Sequence, residues 1–311
     1  MIPVLTKKQA YSLDEDTIVS GHLSQGELMD NAGKAVAQFF CEKIQNAFNQ
    51  EVVVVCGKGN NGGDGVIAYS YLKKYNVSSK IIFTEEKYVH SDLIKKYNIL
   101  KSDYSIYSDK TSFDKYDWII DGIFGIGLSK GLKEKYIKII EKINLKKNII
   151  SIDLPSGLSD VENDIIAVNS QHTITFGYAK LSHYINVVNN LSIADIGFKK
   201  YTTTSIFRIN NEDIKKILKP VQNKKNIHKK KSQCNIIAGN IIYPGAAYLS
   251  SMAANKSGSG YVTLYTDSKN NLIGNLQSLM PEIIVRDLEY FDSYKKNSPL
   301  LIGPGGQSIF S

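Results

Sequence analysis

Arginine is almost missing from this chain: of 38 lysines and arginines, only Arg208 and Arg286 are arginine. The net charge of +8 therefore rests on lysine, without the planar forks favoured for phosphate and nucleic-acid recognition. The densest basic run, KKNIHKKK at 224–231, reads as a solvated linker. Cysteine is scarce too. Cys41, Cys56 and Cys234 stand far apart with no C-x-x-C spacing, which argues against a disulfide framework and for reduced thiols in the cytoplasm. No apolar run approaches the ~20 residues of a membrane helix, and MIPVLTKK lacks a signal-peptide core. Histidine offers little: His22, His90 and His183 lie in unpatterned sequence, His172 sits on a predicted strand, and no pair has zinc spacing.

What is present points to about two globular domains in 311 residues, with 42% hydrophobic and 22% charged residues. The chain is organised around EVVVVCGKGNNGGDGVIAYSYLKKY at 51–75. Four valines bounded by glycine read as a strand buried on both faces. The glycine loop would follow it at the sheet's carboxyl edge, with a helix opening at about Gly65. GKGNNG also satisfies G-x-G-x-x-G, with Glu85 or Glu86 about 20 residues on, so an NAD(P)-dependent oxidoreductase is an alternative. Against it, Asp64 would repel a pyrophosphate at the helix N-terminus. Asn60 and Asn61 supply carbonyl oxygens that suit a hard cation or hydroxyl groups.

Residues 1–22 carry no clear pattern. Ser24 and Glu27 predict a capping box, and Leu28, Met29, Ala32, Val36, Phe39 and Phe40 an amphipathic helix after it. Further strands are predicted at 80–84, 116–121, 148–154 and 172–176, with a lysine-rich helix at 133–143. Strands alternating with helices predict a doubly wound parallel sheet. Asp64, Asp121 and Asp153, with Ser156, then converge on one edge and line a single crevice. A composition break between Arg208 and Ser232 divides the chain into a domain at 1–208, a basic linker at 209–231 and a second α/β segment at 232–311. In that segment strands are predicted at 233–238, 261–265, 282–285 and 300–302, and a helix at 244–256.

GKGNNGGDG, DGIFGIGL, SIDLPSGL, TITFGYAK and ADIGF, in this order, with LMDNAG earlier, resemble NAD(P)H-hydrate epimerase, the N-terminal half of the bifunctional NAD(P)H-hydrate repair enzyme. The resemblance covers about residues 10–200. It implies a Rossmann-like three-layer sandwich with a mostly parallel sheet, a homodimer, and interconversion of the R and S forms of NADHX or NADPHX, nicotinamide hydrated at carbon 6. Substrate contacts implied by motif are Asn60, Asn61, Gly62, Gly63, Asp64, Gly125, Ile126, Gly127, Leu128, Ser129, Lys130, Gly131 and Asp153. Asp153 is also the implied acid/base, expected to have a raised pKa, and Lys180 a further catalytic candidate. Asn61, Asp121 and Ser156 would hold one potassium ion, K+, per site, an oxygen set suited to a hard cation.

NIIAGN, YPGAAYL, SGSGYVTL and IGPGG in the tail resemble the opening of an ADP- or ATP-dependent NAD(P)H-hydrate dehydratase, so the segment reads as an incomplete ribokinase-like domain. Ala246 and Gly305 are its implied hydrate contacts. ADP or ATP would bind only were the later half complete, so dehydratase activity is not expected of this chain alone. Rival readings are the oxidoreductase, a non-catalytic binding module of the same fold, and a small-molecule kinase suggested by the tail alone.

Overall fold

The computed structural model describes residues 1–88, 90–127, 131–158, 166–186, 188–200, 204–222, 232–267, 271–293, 298–303 and 305. The chain separates into two compact units, 1–211 and 212–311.

In the first unit, β1 (Ile2–Leu5) leads into α1 (Lys7–Val19), which Thr6 and Gln9 cap as a reciprocal box. These elements lie in the stretch the sequence left unpatterned. The α2 helix (Gln25–Lys43) starts at the predicted Ser24–Glu27 box. The valine run forms β2 (Val52–Cys56), and α3 (Asn60–Lys74) opens five residues before Gly65, with Gly59 as its N-cap. Then follow β3 (Ser79–Phe83), α4 (Ser91–Lys96), β4 (Tyr104–Ile106), β5 (Trp118–Gly122), α5 (Glu134–Ile143), β6 (Ile149–Ile152) and β7 (His172–Phe176). The unit ends with β8 (Ala179–Lys180), α6 (Ser182–Ile185), β9 (Leu191–Ala194) and β10 (Phe207–Arg208).

Seven strands make one parallel sheet in the order β4-β3-β2-β5-β6-β7-β9. Alternation splits the valine run between two cores. Val52 and Val54 face Val36, Phe40, Val66 and Leu72 of α2 and α3, whereas Val53 and Val55 face Tyr136, Ile139, Ile140 and Ile143 of α5. The result is a three-layer α/β sandwich, and the loops after β2, β5, β6 and β7 share one edge. A small separate sheet, β10-β1-β8, ties the N-terminal segment beside that edge, pairing Leu5 with Lys180.

The boundary to the second unit falls at the first residue of α7 (Asn211–Gln222), a helix inside the span expected to be linker. Its apolar positions Ile214, Ile217 and Leu218 are spaced for a helix, and the charged residues between them masked that pattern. The rest of that span, 223–231, lies outside the described residues. The unit continues with β11 (Gln233–Ile237), α8 (Pro244–Lys256), β12 (Tyr261–Thr266), α9 (Leu272–Leu279), β13 (Ile284–Asp287) and β14 (Leu300–Ile302). Its four strands are parallel in the order β13-β12-β11-β14, over a core that includes Ile236, Ala247, Val262, Leu264 and Leu276. Ala246 and Gly305 meet: a Cβ on Gly305, whose φ is +68°, would lie 2.8 Å from that of Ala246.

Candidate functional site

The glycine loop works by close backbone approach. A Cβ on Gly62 would lie 1.9 Å from the Gly57 carbonyl oxygen, and one on Gly57 would lie 2.0 Å from that of Ile123. A side chain on Gly62 would push the first turn of α3 off the end of β2, and one on Gly57 would drive the loops after β2 and β5 apart. Held together, they bound a cavity of about 410 Å³ at the carboxyl edge of the sheet. Asn60, Asn61 and Asp64 line it from α3, and Gly125, Ile126 and Gly127 from the loop after β5. Asp153 and Lys180 close its floor. Gly62, Gly63 and Gly131 are not among the lining residues; Gly63 instead packs against Met29. Leu128, Ser129 and Lys130 lie outside the described residues.

Asp153 and Lys180 form a buried ion pair, Nζ to Oδ1 at 2.7 Å. The ammonium also donates to Thr175 Oγ1 (2.8 Å) and the Phe176 carbonyl (3.2 Å), and Thr175 Oγ1 donates to Asp153 Oδ1 (2.9 Å). Oδ1 is thus occupied, whereas Oδ2 receives no donor among the described residues. A Cβ on Gly125 would sit 3.0 Å from that Oδ2 and 3.1 Å from Asn61 Oδ1, so both oxygens converge on this glycine. The Asn61 amide nitrogen is buried without a partner among the described residues. A polar atom in that state is suited to a ligand.

The acids differ in electrostatics. Burial pushes the Asp153 carboxyl up, but the Lys180 charge and its hydrogen bond, aided by His183 and Thr175, hold it below the usual range. This corrects the raised pKa expected of Asp153, because the sequence could not show that Lys180 folds back onto it. Burial, with the neighbouring Asp153 and Asp14 charges, pushes Asp64 well up. Asp14 on α1 also lines the cavity. Burial raises it to about 6, with Lys180 opposing and Asp153 adding. The third acid of the crevice is therefore Asp14, which sequence reasoning missed.

Asp121 lies behind the cavity wall, fully buried. Its Oδ1 accepts from Ser156 Oγ (2.5 Å) and Ile123 N–H (3.2 Å), and its Oδ2 from Ser151 Oγ and Ser156 N–H (both 2.9 Å). Burial raises its pKa against those bonds, and no cationic side chain among the described residues pairs with it. A buried carboxylate beside the Ser151 and Ser156 hydroxyls supplies the hard oxygen donors that suit a monovalent cation, whereas Asn61 Oδ1 lies towards Gly125. To ligate one, Asp121 would exchange a Ser156 bond. Among the described residues no cluster of His, Cys, Asp or Glu is arranged for a transition metal.

Of the histidines, His172 packs against Phe39 (5.7 Å between ring centroids) and Trp118 (6.2 Å), away from the cavity. His183 is 2% exposed and bonds to the backbones of both Asp153 and Lys180. Only its place three residues after Lys180 could have signalled it. Glu85, one of the two acids offered to the oxidoreductase reading, accepts a bond from Tyr136 (2.7 Å).

Fold and site together define a Rossmann-like α/β domain with a carboxylate-lined, ligand-sized cavity at the strand ends. Residues 25–182 match the family described as YjeF-related protein N-terminus, and 234–309 match NAD(P)H-hydrate dehydratase. The chain belongs to the YjeF-related N-terminal family, whose curated relatives include proteins named NAD(P)H-hydrate epimerase. One from Entamoeba histolytica is 35% identical over 161 residues, covering 51% of this chain and 71% of its own length. A bifunctional NAD(P)H-hydrate repair enzyme Nnr from Dictyoglomus turgidum is 33% identical, covering 86% of this chain and 55% of its own. This chain spans about half the length of such bifunctional relatives. The crystal structure of yeast ynu0, YNL200c, shares the fold, with a TM-score of 0.54 at 20% identity over 66% of this chain and 97% of that one. No helix among the described residues is long and apolar enough to cross a membrane.

Proposed function

We propose that the first unit is an NAD(P)H-hydrate epimerase, interconverting the R and S forms of NADHX or NADPHX. The observation that carries this reading is the free Asp153 Oδ2, beside Asn61 in a cavity large enough for a nicotinamide ring. The hydrated carbon bears a hydroxyl and the ring nitrogen, so it is a carbinolamine. Asp153, kept ionised by Lys180, accepts the hydroxyl proton. The oxygen electron pair forms C=O while the C–N pair returns to nitrogen. Rotation and reclosure on the opposite face invert the centre, and Asp153 returns the proton, with no net loss of atoms or charge. Asp64, whose neutral form is favoured by burial, is suited to donate a hydrogen bond to the opened ring. Ile126, Leu28 and Phe198 line the cavity with apolar surface that excludes water.

We further propose that Asn61, Asp121 and Ser156 hold a potassium ion. Its charge would offset buried Asp121 and tie the loops after β2 and β5 together. The test is chromatographic separation of R and S hydrate after incubation with the chain in potassium or sodium. Asp153→Ala is expected to slow interconversion by about 10²-fold or more. An Asp153→Ala rate equal to wild type would remove the assignment, and equal rates in the two salts would remove the ion.

A further inference from the structure

His183 lies outside the cavity lining, yet it bonds to both members of the pair at the cavity floor. Its Nδ1 is 2.9 Å from the Lys180 backbone nitrogen, and its Nε2 is 2.8 Å from the Asp153 carbonyl oxygen. A peptide N–H only donates and a carbonyl only accepts. The ring must therefore carry its proton on Nε2 alone, and it is neutral. We propose that His183 is a positioning residue, a tautomer-locked clamp holding Asp153 and Lys180 in register.

Two features make the clamp necessary. Asp153 has φ +63°, a left-handed conformation uncommon for non-glycine residues although aspartate enters it more readily than most. Its N–H donates to Ile174 (2.7 Å), and its carbonyl is held by His183, so both peptide groups are engaged. Lys180 sits 27 residues away on the two-residue β8, whose strand partner among the described residues is the short β1 alone. Sheet pairing alone gives that lysine little anchorage. The imidazole joins the two segments directly, and burial, with Lys180 adding, lowers its pKa to about 4 against the opposing influence of Asp153. The ring therefore stays neutral near neutral pH, although Asp153, Lys180, Asp14 and Asp64 face the same cavity.

The proposal rests on the epimerase reading, and three substitutions with one spectroscopic measurement test it. His183→Gln can place an amide N–H near the Nε2 position and keep the bond to Asp153. His183→Asn can place an oxygen near Nδ1 and keep the bond to Lys180. His183→Leu removes both. Misplacement of about 1 Å at a reacting group costs on the order of 10²-fold in rate. His183→Leu is therefore expected to lower kcat by about that factor with KM within about threefold, and His183→Gln to recover more than His183→Asn. In the wild-type chain, ¹⁵N spectra should show Nε2 protonated and Nδ1 bare from about pH 5 to 8.

A folded His183→Leu variant with wild-type kcat, or a ring titrating near the ordinary 6.5, overturns the clamp. So does Asn recovering as much as Gln. Should His183→Leu fail to fold, the Gln and Asn variants and the spectra decide alone. Failure of the epimerase reading is distinct: the wild-type chain would not interconvert the hydrates, while the spectra would still report the tautomer.

Discussion

Replacing Lys180 by methionine keeps the length and apolar stem of the side chain and deletes its charge. The Lys180 and Asp153 side chains are only 6% and 10% exposed, so the remaining carboxylate would be buried with Thr175 and no counterion. Breaking a buried pair from one side typically costs about 3–5 kcal/mol. The pH dependence should also invert. In the wild-type chain the Asp153 pKa is lowered on folding. Its contribution is therefore present above the unfolded value near 4 and lost as pH falls through the lower folded value. Without Lys180, burial dominates and the folded pKa moves above the unfolded one. Stability is then retained below about 4 and lost as pH rises towards the folded value. The gap between wild type and Lys180→Met should thus be wide at neutral pH and narrow towards about pH 4. Asp153→Asn in the same chain should restore most of the loss, since asparagine tolerates the left-handed backbone and carries no charge. Trp118, the single tryptophan, is 6% exposed in β5, so its fluorescence during urea unfolding reports the first unit alone. A loss below about 1 kcal/mol, the size of an exposed pair, or a gap independent of pH, would refute the reasoning.

Two further changes probe the cavity. Asp14 is raised to about 6, so stability should fall as pH rises from about 4 to 6 while the unfolded chain releases its proton first. Asp14→Asn should flatten that slope and stabilise the first unit by up to about 3 kcal/mol at pH 7, read by the same Trp118 transition; an unchanged slope would exclude Asp14 as its source. Gly125→Ala would place a methyl 3.0 Å from Asp153 Oδ2 and 3.1 Å from Asn61 Oδ1. Hydrate KM should rise about tenfold or more with little change in the unfolding midpoint; an unchanged KM would mean that substrate does not approach between those oxygens.

Much of the architecture was legible because local pattern and buried position agree. The valine run, the Ser24–Glu27 box and the helix at 244–256 appear where spacing and capping chemistry place them. The glycine loop was legible as a site but not in its boundaries. The helix begins at Asn60 because Gly62 and Gly63 donate back to the Gly59 carbonyl (2.9 and 3.2 Å), winding the glycines into its first turn. The first 22 residues were opaque because α1 buries few residues, chiefly Ala10, Leu13 and Thr17, and otherwise shows a mixed polar surface.

From the residues alone came the parallel sheet, the two glycine-rich loops and the placement of Asp64 and Asp153 at strand ends or just beyond them. Strand alternation and glycine's small size are local properties. Tertiary structure decided which carboxylate is ionised, that Asp14 joins the cavity, that Asp121 lies behind its wall and that His183 holds the backbone of the pair. These are matters of burial and of partners far apart in the chain, such as Asp14 and Lys180. Proton affinity follows the field at a buried point, and that field exists only once distant segments have met.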